Sequence, residues 1–157
     1  MTPRFIKTPE KRDIVKELNE KFGITELPYL LSESGKEKIR GFSGHLSKDE
    51  ILEIALILNV DNLGTYLMKK ENDGLRPGFD ATQLLKGQIT KNILEITGGQ
   101  FELWIRGEDL DIKAPQGTYV IKYKEDFLGC GRSNGEKLFN YVPKERRIKK
   151  ALKQEII

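Results

Sequence analysis

From about residue 90 onward the apolar side chains recur at every second position, and this period limits the fold more than any other feature of the chain. Phe101, Leu103 and Ile105 alternate with Glu102, Trp104 and Arg106, and Tyr119, Ile121 and Tyr123 alternate with Val120, Lys122 and Lys124. A two-residue repeat sends successive side chains to opposite faces of a strand. Ile93, Leu94 and Ile96 predict another strand, ending at Gly98-Gly99. Phe127-Leu128 open a short one, and Leu138, Phe139, Tyr141 and Val142 supply the last. Gly117, Gly129, Gly131 and Gly135 punctuate the stretch as turns or bulges.

Upstream the pattern is mixed. Ile14, Val15, Leu18 and Phe22 recur at helical spacing over residues 10–22, and Gly23 ends the run. Residues 27–33 and 37–43 are expected to be strands joined at Ser34-Gly35. Ser47, with Glu50 three residues on, forms a capping box for a helix over 48–58 that is apolar around most of its circumference, as expected of the central helix of this half. Leu63 to Lys69 predicts a strand and Lys70 to Gly78 a polar loop. Asp80 is placed as the cap of a short helix through Leu85, closed by Gly87. The expectation is an α+β half followed by a compact β half, divided as 1–72 and 73–157.

Composition removes several functions. Cys130 is the only cysteine and His45 the only histidine, so neither an intrachain disulfide nor a structural zinc site of roughly four Cys/His ligands can form. The longest apolar run, Ile54 to Leu58, is far too short to span a bilayer, and the first residues lack the apolar run of a signal peptide. A cytoplasmic location without membrane contact is expected. Cys130 has no base near it in sequence and reads as an inert strand thiol, and His45 as a loop residue. Gly129 to Gly135 has the wrong spacing for a dinucleotide loop and leads into the strand-like Leu138-Phe139, so it reads as a hairpin turn. Glu108-Asp109 and Glu125-Asp126 read as solvated turns. No catalytic residue, cofactor or metal is expected, and the chain reads as a non-enzyme.

Binding chemistry has better support. The chain carries 27 Lys+Arg against 24 Asp+Glu, net +3, yet residues 143–153 alone carry +5. That is a localised electrostatic footprint. Among the strands, Arg106, Lys122, Lys124, Arg132 and Lys137 stand near Trp104, Tyr119, Tyr123 and Tyr141. Cations for phosphates beside flat rings for stacking are what unpaired RNA requires, although the same rings could equally be core.

A family resemblance adds to this. Val120-Ile121-Lys122 through Phe127-Leu128-Gly129-Cys130-Gly131-Arg132 resembles the PUA pattern of strand, turn and apolar-Gly-x-Gly strand. With Arg76-Pro77-Gly78-Phe79-Asp80, Trp104-Ile105-Arg106-Gly107, Gly117-Thr118-Tyr119 and Asn140-Tyr141-Val142-Pro143, the run over about 74–148 resembles the PUA-like module of Sun/Fmu-type (RsmF-like) rRNA cytosine-5 methyltransferases and its stand-alone relatives. The resemblance implies a mixed β pseudo-barrel in the C-terminal half, an RNA ligand and a role in ribosome biogenesis, rRNA processing or RNA modification. It does not carry over the methyltransferase chemistry. No proline precedes a cysteine, and no strand–glycine loop–helix unit is visible. RNA recognition is carried over onto Arg106, Gly107, Gly129, Gly131, Arg132, Lys144, Arg146 and Arg147. Lys122, Lys124, Lys137 and Tyr141 join them from the basic and aromatic pattern. The expected partner is rRNA or tRNA, with an RNA methyltransferase or pre-ribosomal particle as an associated assembly. The alternatives are an adaptor that docks on a methyltransferase or ribosomal protein through the 48–58 helix, and an enzyme with an unrecognised site.

Overall fold

The computed structural model describes residues 4–35, 37–43, 47–58 and 64–148, with 34 and 54–58 in backbone only. These residues form a mixed α and β structure with two sheets and four α-helices. His45 and the basic residues beyond 148 lie outside the described residues, as does Leu63, the first residue of its expected strand.

The first sheet is antiparallel throughout. Its five strands run in sequence order: β1 (Arg4–Phe5), β2 (Leu30–Ser34), β3 (Lys38–Phe42), β4 (Thr65–Glu71) and β5 (Gly74–Pro77). Helix α1 (Thr8–Phe22) buries Ile14, Leu18 and Phe22, the stripe its periodicity predicts. Gly23 ends it in the left-handed region at φ 84°, where its N–H donates to the Asn19 carbonyl. Helix α2 (Lys48–Leu58) begins with the expected box: Ser47 Oγ accepts from the Glu50 N–H at 3.2 Å, and the Ser47 N–H donates to Glu50 Oε1 at 3.1 Å.

Strand β5 corrects the loop expected over 70–78. The sequence Gly74-Leu75-Arg76-Pro77 pairs with Met68 to Glu71 as the edge strand of the sheet, with Leu75 turned into the core. Residues 72 and 73 therefore sit in the turn of a hairpin. Helix α3 (Phe79–Leu84) is capped at Gly78, two residues before the expected Asp80. Asp80 is already in the helix, and its carboxylate is turned to Arg146.

The second sheet has the order β6 (Ile93–Glu95), β7 (Gly117–Tyr123), β8 (Asp126–Ser133), β9 (Leu138–Asn140). The β6–β7 pair is parallel and the others antiparallel. A parallel pair needs a crossover, and here it is helix α4 (Gly98–Ile105). This overturns the strand expected over 101–106. Thr97 Oγ1 accepts from the Gln100 N–H at 3.3 Å while Gln100 Oε1 accepts from the Thr97 N–H at 2.9 Å, a full capping box. Trp104 is fully buried and its indole N–H donates to the Leu128 carbonyl at 2.9 Å. Phe101 stacks on Tyr123 at 4.3 Å, whereas Leu103 turns outward. Strand β8 also runs further than expected. Gly129 to Ser133 is strand, and the turn falls at 134–137, where Asn134 Oδ1 accepts from the N–H groups of Glu136 and Lys137.

The second sheet is covered on both faces. Val120, Phe127 and Cys130 join α1 and the first sheet in one apolar cluster that includes Leu18, Phe22, Leu31, Ile39 and Leu67. Ile121 and Leu128 point the other way into a second cluster with Ile96, Trp104, Leu110, Leu138 and Val142. The first cluster draws on residues from both sides of position 72.

Glycine at 131 is required where α4 approaches β8. A Cβ there would lie 2.6 Å from Trp104 Cη2 and 3.0 Å from the Phe139 carbonyl, neither of which can retreat. Gly131→Ala is expected to lower stability by about 1–3 kcal/mol, measured as a fall in the urea midpoint. A midpoint equal to that of the native protein would show that the tryptophan has room to move.

Candidate nucleic-acid interface

The chain leaves β4 at Glu71, turns through Asn72 and Asp73, and re-enters as β5. This turn faces the start of β7 and the end of β8 across a cleft of about 270 Å³ lined by Glu71, Asp73, Arg76, Thr118, Arg132 and Tyr141. The Arg76 guanidinium lies over the Tyr141 ring, 4.1 Å from its centroid. It is held there by Glu71, whose Oε1 accepts from Arg76 Nε at 2.8 Å. Arg132 reaches the same turn and pairs with Asp73.

A second set of cations continues along 140–148. Arg146 makes a two-pronged pair with Asp80, Nε to Oδ1 at 3.0 Å and Nη2 to Oδ2 at 2.9 Å. Asp80 raises the Arg146 pKa through these hydrogen bonds and its charge. Arg147 is committed to the fold: its Nε donates to the Val142 carbonyl at 3.0 Å and its guanidinium packs on Gly107. Gly107 stands at φ +91°, and a side chain there would collide with Arg147. Because Arg76 and Asp80 belong to one short run, the Arg132–Tyr141–Arg76 group and the Arg146–Arg147 group form one rim.

The expected residues are thus divided. Arg132, Tyr141, Arg146 and Arg147 share the rim, with Lys144 exposed beside it. Arg106 caps the end of α4, and its Nε is buried with no hydrogen-bond partner among the described residues. Gly129 (φ +76°) packs against Phe79, and its N–H donates to Thr82 Oγ1 at 3.0 Å. Gly129 and Gly131 therefore serve close packing inside the sheet. Lys122 lies four residues along β7 from the Thr118–Arg132 pair, or about 13 Å, and Lys124 lies beyond it in the β7–β8 turn. Lys124 lies over Tyr123 at 5.3 Å. Lys137 is exposed in the β8–β9 turn. Of the aromatics considered for stacking, Trp104 is core, Tyr123 is stacked on Phe101 and Tyr119 donates its hydroxyl to the Pro115 carbonyl. Tyr141 is the exposed ring among them.

Sequence reasoning did not pick out Arg76, which it placed in a loop, nor the orienting carboxylates Glu71, Asp73 and Asp80. The proline-glycine pair after Arg76 was a signal, since it marks the end of an edge strand rather than the middle of a loop.

Cys130 is buried, and burial pushes its thiol up to about 12. At neutral pH it is a thiol. Iodoacetamide is expected to label it only at the rate of unfolding, read by mass spectrometry with and without urea. Rapid labelling of the folded protein would restore it as a candidate nucleophile. Among the described residues there is no group of three or more His, Cys, Asp or Glu placed to hold a metal ion, and no helix long and apolar enough to cross a membrane.

Residues 91–148 match the family model described as the methyltransferase RsmF PUA domain. The chain therefore carries, over that stretch, a PUA-like module similar to that of RsmF-type methyltransferases. A PUA domain is an RNA-binding module rather than a catalytic one. The match begins at β6 and includes α4, the β7–β8 pair, β9 and the arginines of 146–147. Arg76 and α3 precede it. No curated protein matches the chain.

Proposed function

We propose that this protein is a non-catalytic, cytoplasmic RNA-binding protein that engages rRNA or tRNA during ribosome biogenesis or RNA modification, with an RNA methyltransferase or pre-ribosomal particle as its working partner. The observation that carries this reading is the Arg76–Tyr141 stack on the rim of the cleft. An exposed aromatic ring already carrying a planar cation, with Arg132 beside it, offers an unpaired base a π surface and its phosphate a guanidinium. Arg132, Lys144 and Arg146 act on the backbone and set affinity, while Tyr141 meets the base. The rim arginines have carboxylate partners, but exposed ion pairs contribute only about 0–1 kcal/mol. A phosphate can therefore replace Asp73 or Asp80 with little loss.

Tyr141→Ala removes the ring without opening the core, because the side chain is partly exposed. Binding of a fluorescently labelled single-stranded RNA is expected to weaken roughly tenfold, the scale of about 1–3 kcal/mol for one stacked base. Arg132→Gln is expected to reduce the slope of log K against log salt by about 0.7. Native affinity and native slope in both variants would remove the cleft from the interface. Reversing Arg147 is the poorer test, since its bond to the Val142 carbonyl ties the change to folding.

A further inference from the structure

We propose that the RNA-binding surface does not end at the PUA-like module but continues as a single-strand track onto α1. This inference rests on the RNA reading above and assigns a second contact region that neither the family match nor the rim contains.

Helix α1 separates its charges by face. Glu10, Asp13 and Glu17 lie on the side toward β4 and β5. Lys11, Arg12 and Lys16 lie on the opposite side, above a groove of about 610 Å³ whose far wall is Thr25, Glu26 and Leu27. Lys11 Nζ is held by the Tyr29 carbonyl at 2.8 Å. Arg12 and Lys16 are exposed, and neither makes an ion pair or hydrogen bond among the described residues. They differ in this from Arg76, Arg132 and Arg146 of the rim, each of which has a carboxylate partner. Arg12 and Lys16 stand one turn apart, about 6 Å along the axis. Val15 and Leu27 give the groove an apolar floor.

Hydrogen bonds link the wall of the groove to the residues of the rim. The groove ends at Asn19, whose carbonyl accepts from Lys91 Nζ at 3.5 Å. Asn92, the next residue, donates through Nδ2 to the Lys21 carbonyl at 2.5 Å. Asn92 and Lys21 in turn line a second cleft of about 250 Å³ with Asp73, Thr118 and Tyr119. Asp73 and Thr118 also line the Tyr141 cleft. Three depressions thus lie on elements joined by these bonds: Arg12 and Lys16 flank the first, Lys21 the second, and Arg132 and Arg76 the third, with Lys91 bonded to Asn19 between the first two. A cationic groove with apolar patches and one stacking ring fits a flexible polyphosphate strand whose bases are free. Single-strand sites of this kind hold on the order of ten nucleotides.

The test compares Arg12→Glu/Lys16→Glu with the native full-length chain on oligouridylates of about 4 and about 12 nucleotides, lengths that fill part or all of such a site. Lys38→Glu/Lys86→Glu, two exposed lysines off the track, controls for net charge. The expected result is about a tenfold loss for the longer oligomer and a salt slope smaller by about 1.4, two phosphates at about 0.7 each. The shorter oligomer, held at Tyr141, and the control variant should be unaffected. Unchanged binding of the longer oligomer would confine RNA to the rim and overturn the track. Equal losses in the α1 variant and the control would overturn it as well, by reducing the effect to overall charge. Native protein that binds polyglutamate more tightly than the longer oligomer would assign the α1 groove to an acidic protein segment. Native protein that binds neither RNA would overturn both this inference and the function proposed above, whereas loss confined to the longer oligomer supports both.

Discussion

The β7–β8 pair is buried on both faces, and the rest of the molecule is arranged around that constraint. Val120 and Cys130 stand opposite each other in the ladder and face α1, while the neighbouring Ile121 and Leu128 face α4. A strand whose two faces both meet apolar neighbours cannot carry a polar row. The period of two then fixes register, because a slip by one residue would exchange the contents of the two cores. The glycines of β8 follow from the same crowding. Gly131 makes room for Trp104, and Gly129 makes room for Phe79, which packs against the same cluster as Trp104. Burial on both faces also leaves the functional groups little choice of position. They collect at the ends and edges of the pair, where Thr118, Arg132 and Tyr141 meet the β4–β5 turn.

The strands were legible in the sequence where one residue type could occupy only one face. The β7 alternation, the β2–β3 hairpin and the Ser47–Glu50 box all appear where the residues place them. Residues 101–106 were not, because six residues with apolar groups at 101, 103, 104 and 105 satisfy both periods. What decides for helix is nonlocal: a parallel β6–β7 pair cannot be closed without a crossover, and Trp104 needs the Leu128 carbonyl for its indole N–H. The Thr97–Gln100 box was the local signal. It precedes the ambiguous stretch and sits beside two glycines that read as a strand end. Strand β5 was hidden for the opposite reason. Its composition is that of a loop, and it becomes a strand because Glu71 and Lys70 offer it a partner edge.

The candidate site was legible in residue type but not in grouping. Arg132, Tyr141 and Arg146 could be named as basic or aromatic residues, yet Lys122 and Lys124 have the same composition and lie elsewhere on the hairpin. Arg76 is 65 positions from Tyr141 in sequence, and only the hairpin that turns at 72–73 brings it under the ring. The α1 cations were hidden by their neighbours. A helix reading Glu10-Lys11-Arg12-Asp13 and Lys16-Glu17 has nearly balanced charge, and the segregation emerges only when its faces are assigned by burial of Ile14, Leu18 and Phe22.

In the proposed RNA complex the two groups of cations would divide the work of holding a polyanion. The rim arginines are aimed before any ligand arrives: Glu71 fixes Arg76 over Tyr141, Asp73 draws Arg132 to the cleft and Asp80 grips Arg146 with both prongs. Pre-oriented guanidiniums favour a defined geometry, and their carboxylates subtract from long-range attraction because each pair is close to neutral at a distance. Arg12 and Lys16 carry uncompensated charge on flexible stems, which suits attraction from a distance and offers little geometric choice. A strand engaged at both ends would owe its register to the rim and much of its salt-sensitive affinity to the helix. A charge change on α1 should then act mainly through ionic strength, while the loss of the ring at Tyr141 should act at every ionic strength alike, since stacking releases no counterions.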